Sequence, residues 1–178
     1  RRGLGRSAVL GARAGQPGAH AVRPAASRPP AGVSGFPPEG AGRTVAYLPD
    51  HEPYRLAITG SEPVTAARAQ QAENDLIDFV AGCDLLILDS QYDRTEYPGH
   101  IGWGHGCLDD SVALALRAGV ESLFLFHHDP DHDDRQIDAM LEQARRQVAE
   151  AGSPMRVEAA RELAQIVPQA RQKKLAAA

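Results

Sequence analysis

The chain has 178 residues, 43% hydrophobic but only 5% aromatic, which is enough for one ordinary domain with a modest core. Its net charge of −4 hides an asymmetry: residues 1–43 carry seven arginines against Glu39, and the remaining 135 residues carry 12 basic and 22 acidic groups. An acidic body repels phosphate backbones, so nucleic-acid binding by the folded part is not expected. No apolar run approaches the roughly 20 residues of a membrane helix and there is no signal-peptide core, so a cytoplasmic protein without a membrane partner is expected. Cys83 and Cys107 form no C-x-x-C pair and read as small core residues of a reducing compartment.

In chain order, residues 1–42 (typified by RPAASRPPAGVSGFPPEGAG) are dominated by Arg, Ala, Gly and Pro and hold no period of 2 or 3.6. Such a composition buries too little apolar surface to offset chain entropy, and a disordered leader is expected there. A folded domain is expected over 43–167, and a tail over 168–178. TVAYL (44–48) is a short β-type run. Residues 65–82 place Ala69, Ala72, Leu76 and Phe79/Val80 on one helical face, with Gly82 as a stop. DLLILD (84–89) and ESLFLF (121–126) are continuous apolar runs of buried-strand type. SVALALRAG (111–119) is a helix ending in glycine, and 135–152 spaces Ile137, Met140, Leu141, Ala144 and Val148 as an amphipathic helix. MRVEAA (155–160) is a last strand candidate. Strands alternating with helices predict right-handed βαβ units, with ligands at the carboxyl ends of the strands.

Those ends are loaded with polar residues. TVAYL runs into Pro49-Asp50-His51-Glu52, DLLIL into Asp89, and SLFLF into His127-His128-Asp129. Taken locally, Asp50 is an Asx-type turn before Pro53 or a carboxylate able to bridge divalent ions, with His51 and Glu52 as alternatives. The long loop 88–110 contains Trp103, Tyr92, Tyr97, His100 and His105. His105 directly precedes a helix start, where the positive dipole end favours anions, and Asp89 is placed to accept its ring proton. The bland alternative is a histidine packed on Trp103. Successive residues at a strand end face opposite ways, so only one of His127 and His128 can be a metal ligand. Asp133 or Asp134 would cap the next helix, and Asp129, Asp131 and His132 read as solvated loop residues.

Four motifs, VAYLPDHEPY, CDLLILDSQY, EYPGHIGWGH followed by DDSVALALRAGV, and LFLFHHDPDHDD, together resemble the second half of metallo-β-lactamase-fold hydrolases. The closest likeness is to the branch that cleaves phosphodiesters, cyclic phosphates or tRNA precursors, and it spans about 43–160. The resemblance implies an α/β fold, the C-terminal half of an αββα sandwich with a mixed sheet and flanking helices. It implies a dinuclear site, usually Zn²⁺ and sometimes Mn²⁺ or Fe. Asp50 matches the metal-bridging aspartate and His127 the last histidine ligand. His105 matches the histidine that protonates the leaving group, and Asp89 the acid supporting it. The implied reaction is hydrolysis of a phosphodiester or related ester by a metal-bound hydroxide.

The family's main metal motif, H-x-H-x-D-H, has no counterpart in these 178 residues, and the other first-half histidine ligand has no candidate except His20. The expectation is therefore a C-terminal half behind a non-homologous leader, inactive by itself. The competing reading is a non-catalytic α/β binding or interaction domain holding one divalent cation through Asp50, Asp89 and Asp129.

Overall fold

The structure is a computed structural model that describes residues 34–36 (as backbone), 44–54 and 66–166. Five strands form one sheet in the order β1-β2-β3-β4-β5: Ser34–Phe36, Val45–Leu48, Leu85–Asp89, Ser122–Phe126 and Arg156–Ala159. β1 pairs antiparallel with β2, and the other pairings are parallel. Helices α1 (Ala66–Val80), α2 (Leu108–Ala118) and α3 (Asp134–Glu150) connect successive parallel strands. Because the strand order never reverses, right-handed crossovers place all three helices on one face. α2 accordingly packs between α1 and α3. This is the expected mixed sheet with flanking helices.

The apolar runs explain the layers. Ala46 and Leu48, Leu86 and Leu88, Leu123 and Leu125, and Val157 and Ala159 stand in register across four strands on the helix side. There they meet Leu76, Val80, Leu108, Val112, Ala115, Met140, Ala144 and Val148 in one core. Leu76, Leu86, Leu88, Leu108 and Leu123 are completely buried, each stabilising the fold by about 1.5–3 kcal/mol through removal from water. β3 is buried at all five positions, as its unbroken apolar sequence predicts. α2 stops at Gly119, whose φ of 63° lets its N–H turn back to the Ala115 and Leu116 carbonyls. α3 starts at Asp133, whose carboxylate accepts the Gln136 N–H at 2.8 Å.

Ser34–Phe36 lies within the stretch read as a leader, so regular structure begins before residue 43. A Ser-Gly-Phe triplet carries no periodicity to reveal it. The rest of 1–42, and the tail expected at 168–178, lie outside the described residues. Among the described residues no helix is long and apolar enough to cross a membrane.

Candidate metal centre

Register builds the site. Leu48, Leu88 and Leu125 stand side by side on three adjacent parallel strands, and Asp89 pairs with Phe126 one step further. The next residues out of β2 and β4 therefore arrive at the same sheet edge as Asp89. Asp50 and His127 meet there, with Asp50 Oδ1 4.0 Å from His127 Nε2. The loop from β3 to α2 returns His105 to the same edge, its ring centroid 4.6 Å from that of His127. One ligand atom from each of Asp50, Asp89, His105 and His127 lies within 4.8 Å of all the others. Tetrahedral ligands bonded at about 2.1 Å sit ~3.4 Å apart, so Asp50 and His127 at 4.0 Å stand slightly wider than one shared ion would hold them.

Asp89 is the hub. It is fully buried, and its two oxygens are saturated. Oδ1 accepts from the Gln91 N–H at 3.1 Å and the Gly106 N–H at 3.0 Å. Oδ2 accepts from the His51 N–H at 3.3 Å and from His105 Nδ1 at 2.8 Å. Against an ionised carboxylate His105 carries its proton on Nδ1, which leaves Nε2 facing outward. His127 Nδ1 stands 3.4 Å from the same Oδ2, short of hydrogen-bond alignment and otherwise without a partner. The Asp89 carboxylate raises the His127 pKa above its ordinary value; burial opposes this, and Asp50 and Asp129 add to it. His127 also adopts φ 62°, a strained left-handed backbone for a non-glycine residue, as residues held at functional sites often are.

The His105 loop is held by a second acid. Glu52, buried two residues beyond Asp50, accepts from the Gly102 N–H at 2.6 Å, the Gly104 N–H at 3.0 Å and the Tyr97 hydroxyl at 3.2 Å. A side chain on Gly106 would place a Cβ 2.6 Å from the Asp89 carbonyl oxygen and 3.0 Å from that of His51, so only glycine allows this approach. Ser111 at the start of α2 closes the frame by donating to the Asp89 carbonyl at 2.7 Å.

The four residues singled out in the sequence thus come together, and the two alternatives to Asp50, His51 and Glu52, do not join them; Glu52 instead holds the His105 loop. The His51 side chain stands apart. Its ring is buried against Tyr54, and desolvation lowers its pKa. His128 turns away, Nε2 lying 3.3 Å from the Ala160 carbonyl. The histidine beside Trp103 is His100 rather than His105: it stacks on Tyr92 at 4.1 Å and meets Trp103 edge-on at 4.7 Å. The oxygen-only alternative loses its third member, because Asp129 accepts from Gln91 Nε2 and the Asp131 N–H and does not join the cluster. His132 corrects the reading of a solvated loop residue. Its side chain is 3% exposed and its Nε2 meets both Glu96 oxygens at 3.0 and 3.1 Å. The roles of Glu52 and Glu96 left no mark in the sequence, since most of their partners lie 36 to 52 positions away.

No family model matches the chain. Ribonuclease Z of Picrophilus torridus is 28% identical over 96 residues, covering 54% of this chain and 25% of that protein. Ribonuclease Z of Saccharolobus solfataricus is 32% identical over 108 residues, covering 59% and 35% respectively. Over these segments the chain is similar to ribonuclease Z. The likeness to metallo-β-lactamase-fold hydrolases read from the four motifs is thereby borne out over about half of the chain. A solved structure, the metallo-β-lactamase fold protein YhfI from Bacillus subtilis, is similar over 66% of this chain and 37% of its own, with TM-score 0.42 and 18% identity. The chain spans about a third or less of the length of the ribonuclease Z relatives it matches.

These relatives are ribonucleases by name, and so the expectation that the acidic body turns nucleic acid away is not supported. Net charge sums the whole surface, whereas the approach of a charged molecule depends on the local field, which imidazoles beside carboxylates alter.

Proposed function

We propose that this chain carries part of the active centre of a metal-dependent phosphodiesterase acting on RNA, with Asp50 and His127 as metal ligands and His105 and Asp89 as an acid–base pair. The observation that carries the reading is the meeting of Asp50 with His127, 77 positions apart in sequence, beside a histidine already oriented by a buried carboxylate. The donor pair suits a first-row divalent ion: the Asp50 carboxylate and the His127 imidazole, one of whose nitrogens is buried without a hydrogen-bond partner. Zn²⁺ is the proposed ion. Once bound, it would supply Lewis acidity towards a phosphoryl oxygen and lower the pKa of water.

The protein's own residues do the rest. Asp89 fixes the His105 ring with Nδ1 inward, so Nε2 is the atom able to deliver a proton to a leaving alkoxide. The same carboxylate stabilises the imidazolium before that transfer and holds His127 alongside. Glu52 and Gly106 keep the His105 loop rigid enough for the proton to be delivered at a fixed point.

The 178-residue chain alone is proposed to be inactive. H-x-H-x-D-H is absent from it, and Asp89, saturated by four N–H donors, has little capacity left for a metal. Calorimetric titration with Zn²⁺ tests both halves of the reading. One weak site, lost in His127→Ala, and no turnover of bis(p-nitrophenyl) phosphate are expected. Absence of any binding overturns the metal assignment; two tight sites or metal-dependent turnover overturn the inactivity.

A further inference from the structure

The loop 92–107 holds three large aromatics, and they behave differently. Tyr92 and Tyr97 turn inward to a small cluster with Cys107, 2% and 6% exposed. Trp103, the single tryptophan of the chain, stands 65% exposed. A singly exposed hydrophobic residue needs no explanation by itself; a rigidly held one is a different case. This one is not loose. The N–H groups of the residues on either side, Gly102 and Gly104, are both bound by the buried Glu52 carboxylate. The Trp103 N–H itself donates to the His100 carbonyl at 3.1 Å. The indole meets the His100 ring in a T-shaped contact, centroids 4.7 Å apart, and that imidazole is stacked on the buried Tyr92. Two residues later the same loop delivers His105.

We propose that Trp103 is a stacking platform for a nucleobase of the substrate, next to the phosphodiester handled at the His105 edge. This rests on the phosphodiesterase reading above for its choice of ligand, while the platform itself rests on exposure and bracing. A rigid aromatic held out from the surface loses little entropy on binding, and every base has a face to offer it, so the contact is tolerant of sequence. It also addresses the acidic surroundings. Stacking is largely independent of charge and supplies affinity where the protein has few cations to offer a phosphate.

The test uses the full 178-residue chain without added divalent cation, so failure of the metal chemistry would leave it readable. Because Trp103 is the only indole, its fluorescence reports the contact directly. Titration with hexaadenylate and with AMP is expected to quench it, and ribose 5-phosphate, which has no base, is not. Binding of fluorescein-labelled hexaadenylate, followed by anisotropy, should weaken about 5- to 140-fold in Trp103→Ala and stay within about 3-fold in Trp103→Phe, as loss or retention of one stacked ring implies. The exposed position makes misfolding of these variants no obstacle. Equal quenching by ribose 5-phosphate, unaltered affinity in Trp103→Ala, or a Trp103 signal that responds only to protein concentration, meaning burial against another copy of the chain, would each overturn the proposal. A successful Zn²⁺ titration alongside a failed stacking titration would reject the platform and keep the metal site.

Discussion

Replacing Asp89 by asparagine tests the hub of the site with almost no change in volume. The carboxylate accepts two N–H groups on each oxygen: Gln91 and Gly106 on Oδ1, His51 and His105 on Oδ2. An amide keeps only one oxygen. The lower-cost orientation leaves that oxygen on the two backbone donors at 3.0 and 3.1 Å and turns the NH₂ towards His51 and His105. His105 then answers by moving its proton to Nε2 and accepting through Nδ1, but the His51 backbone N–H has no such freedom. One buried donor is stranded, at about 1–3 kcal/mol. Urea unfolding with a slope of about 1–3 kcal/mol per molar should show a midpoint lower by roughly 1 M. Imidazole ¹⁵N shifts should show the inverted His105 tautomer. A midpoint within about 0.2 M of the parent chain, or His105 still protonated on Nδ1, would refute the four-donor account.

Three further outcomes follow from the same frame. Gly106→Ala must push its new Cβ off two backbone carbonyls that no rotamer change can clear, and should cost about 1–3 kcal/mol, whereas Gly99→Ala, with nothing within 4 Å of its Cβ, should cost far less by the same urea assay. Glu52→Ala removes the acceptor from Gly102, Gly104 and Tyr97, so acrylamide should reach Trp103 more readily and the anisotropy of its emission should fall; an unchanged loop would show that Glu52 is not its anchor. In an NMR pH titration of the metal-free protein, His127 should titrate above the ordinary histidine value of about 6.5 and His51 and His128 below it. The stabilising contribution of His127 is then complete below about pH 6.5 and lost as pH rises through its folded value, and that of His51 is present above about 6.5 and lost as pH falls; the reverse order of midpoints would contradict both environments.

What the sequence made legible was whatever is encoded locally. The unbroken apolar run LLIL marks a strand buried at every position, whereas in SLFLF Phe124 and Phe126, on the face away from the helices, are only half-buried. The 3, 4, 7 spacing in Asp134–Glu150 marks a helix that buries one stripe. The convergence of Asp50, Asp89 and His127 was legible at one remove, since residues leaving adjacent parallel strands in register must share an edge. Contacts between side chains and distant backbone were not legible. Glu52 binds glycine N–H groups 50 and 52 positions on, and a backbone donor has no residue type by which to announce itself. His132 read as solvated because its neighbours are acids, yet the partner that buries it, Glu96, comes from another loop. The left-handed backbone at His127 was equally hidden, because nothing in a Phe-His-His step demands it.

The central claim is that Asp50 and His127 hold one cation beside the His105–Asp89 pair. Zn²⁺ titration of ¹⁵N-labelled chain, followed through its imidazole resonances, tests it most directly. His127 and His105 should shift together and saturate together, while His100, His128 and His132 stay in place, and Asp50→Ala should weaken the response. Zinc-dependent shifts centred on any other histidine, or none at His127, would contradict the account.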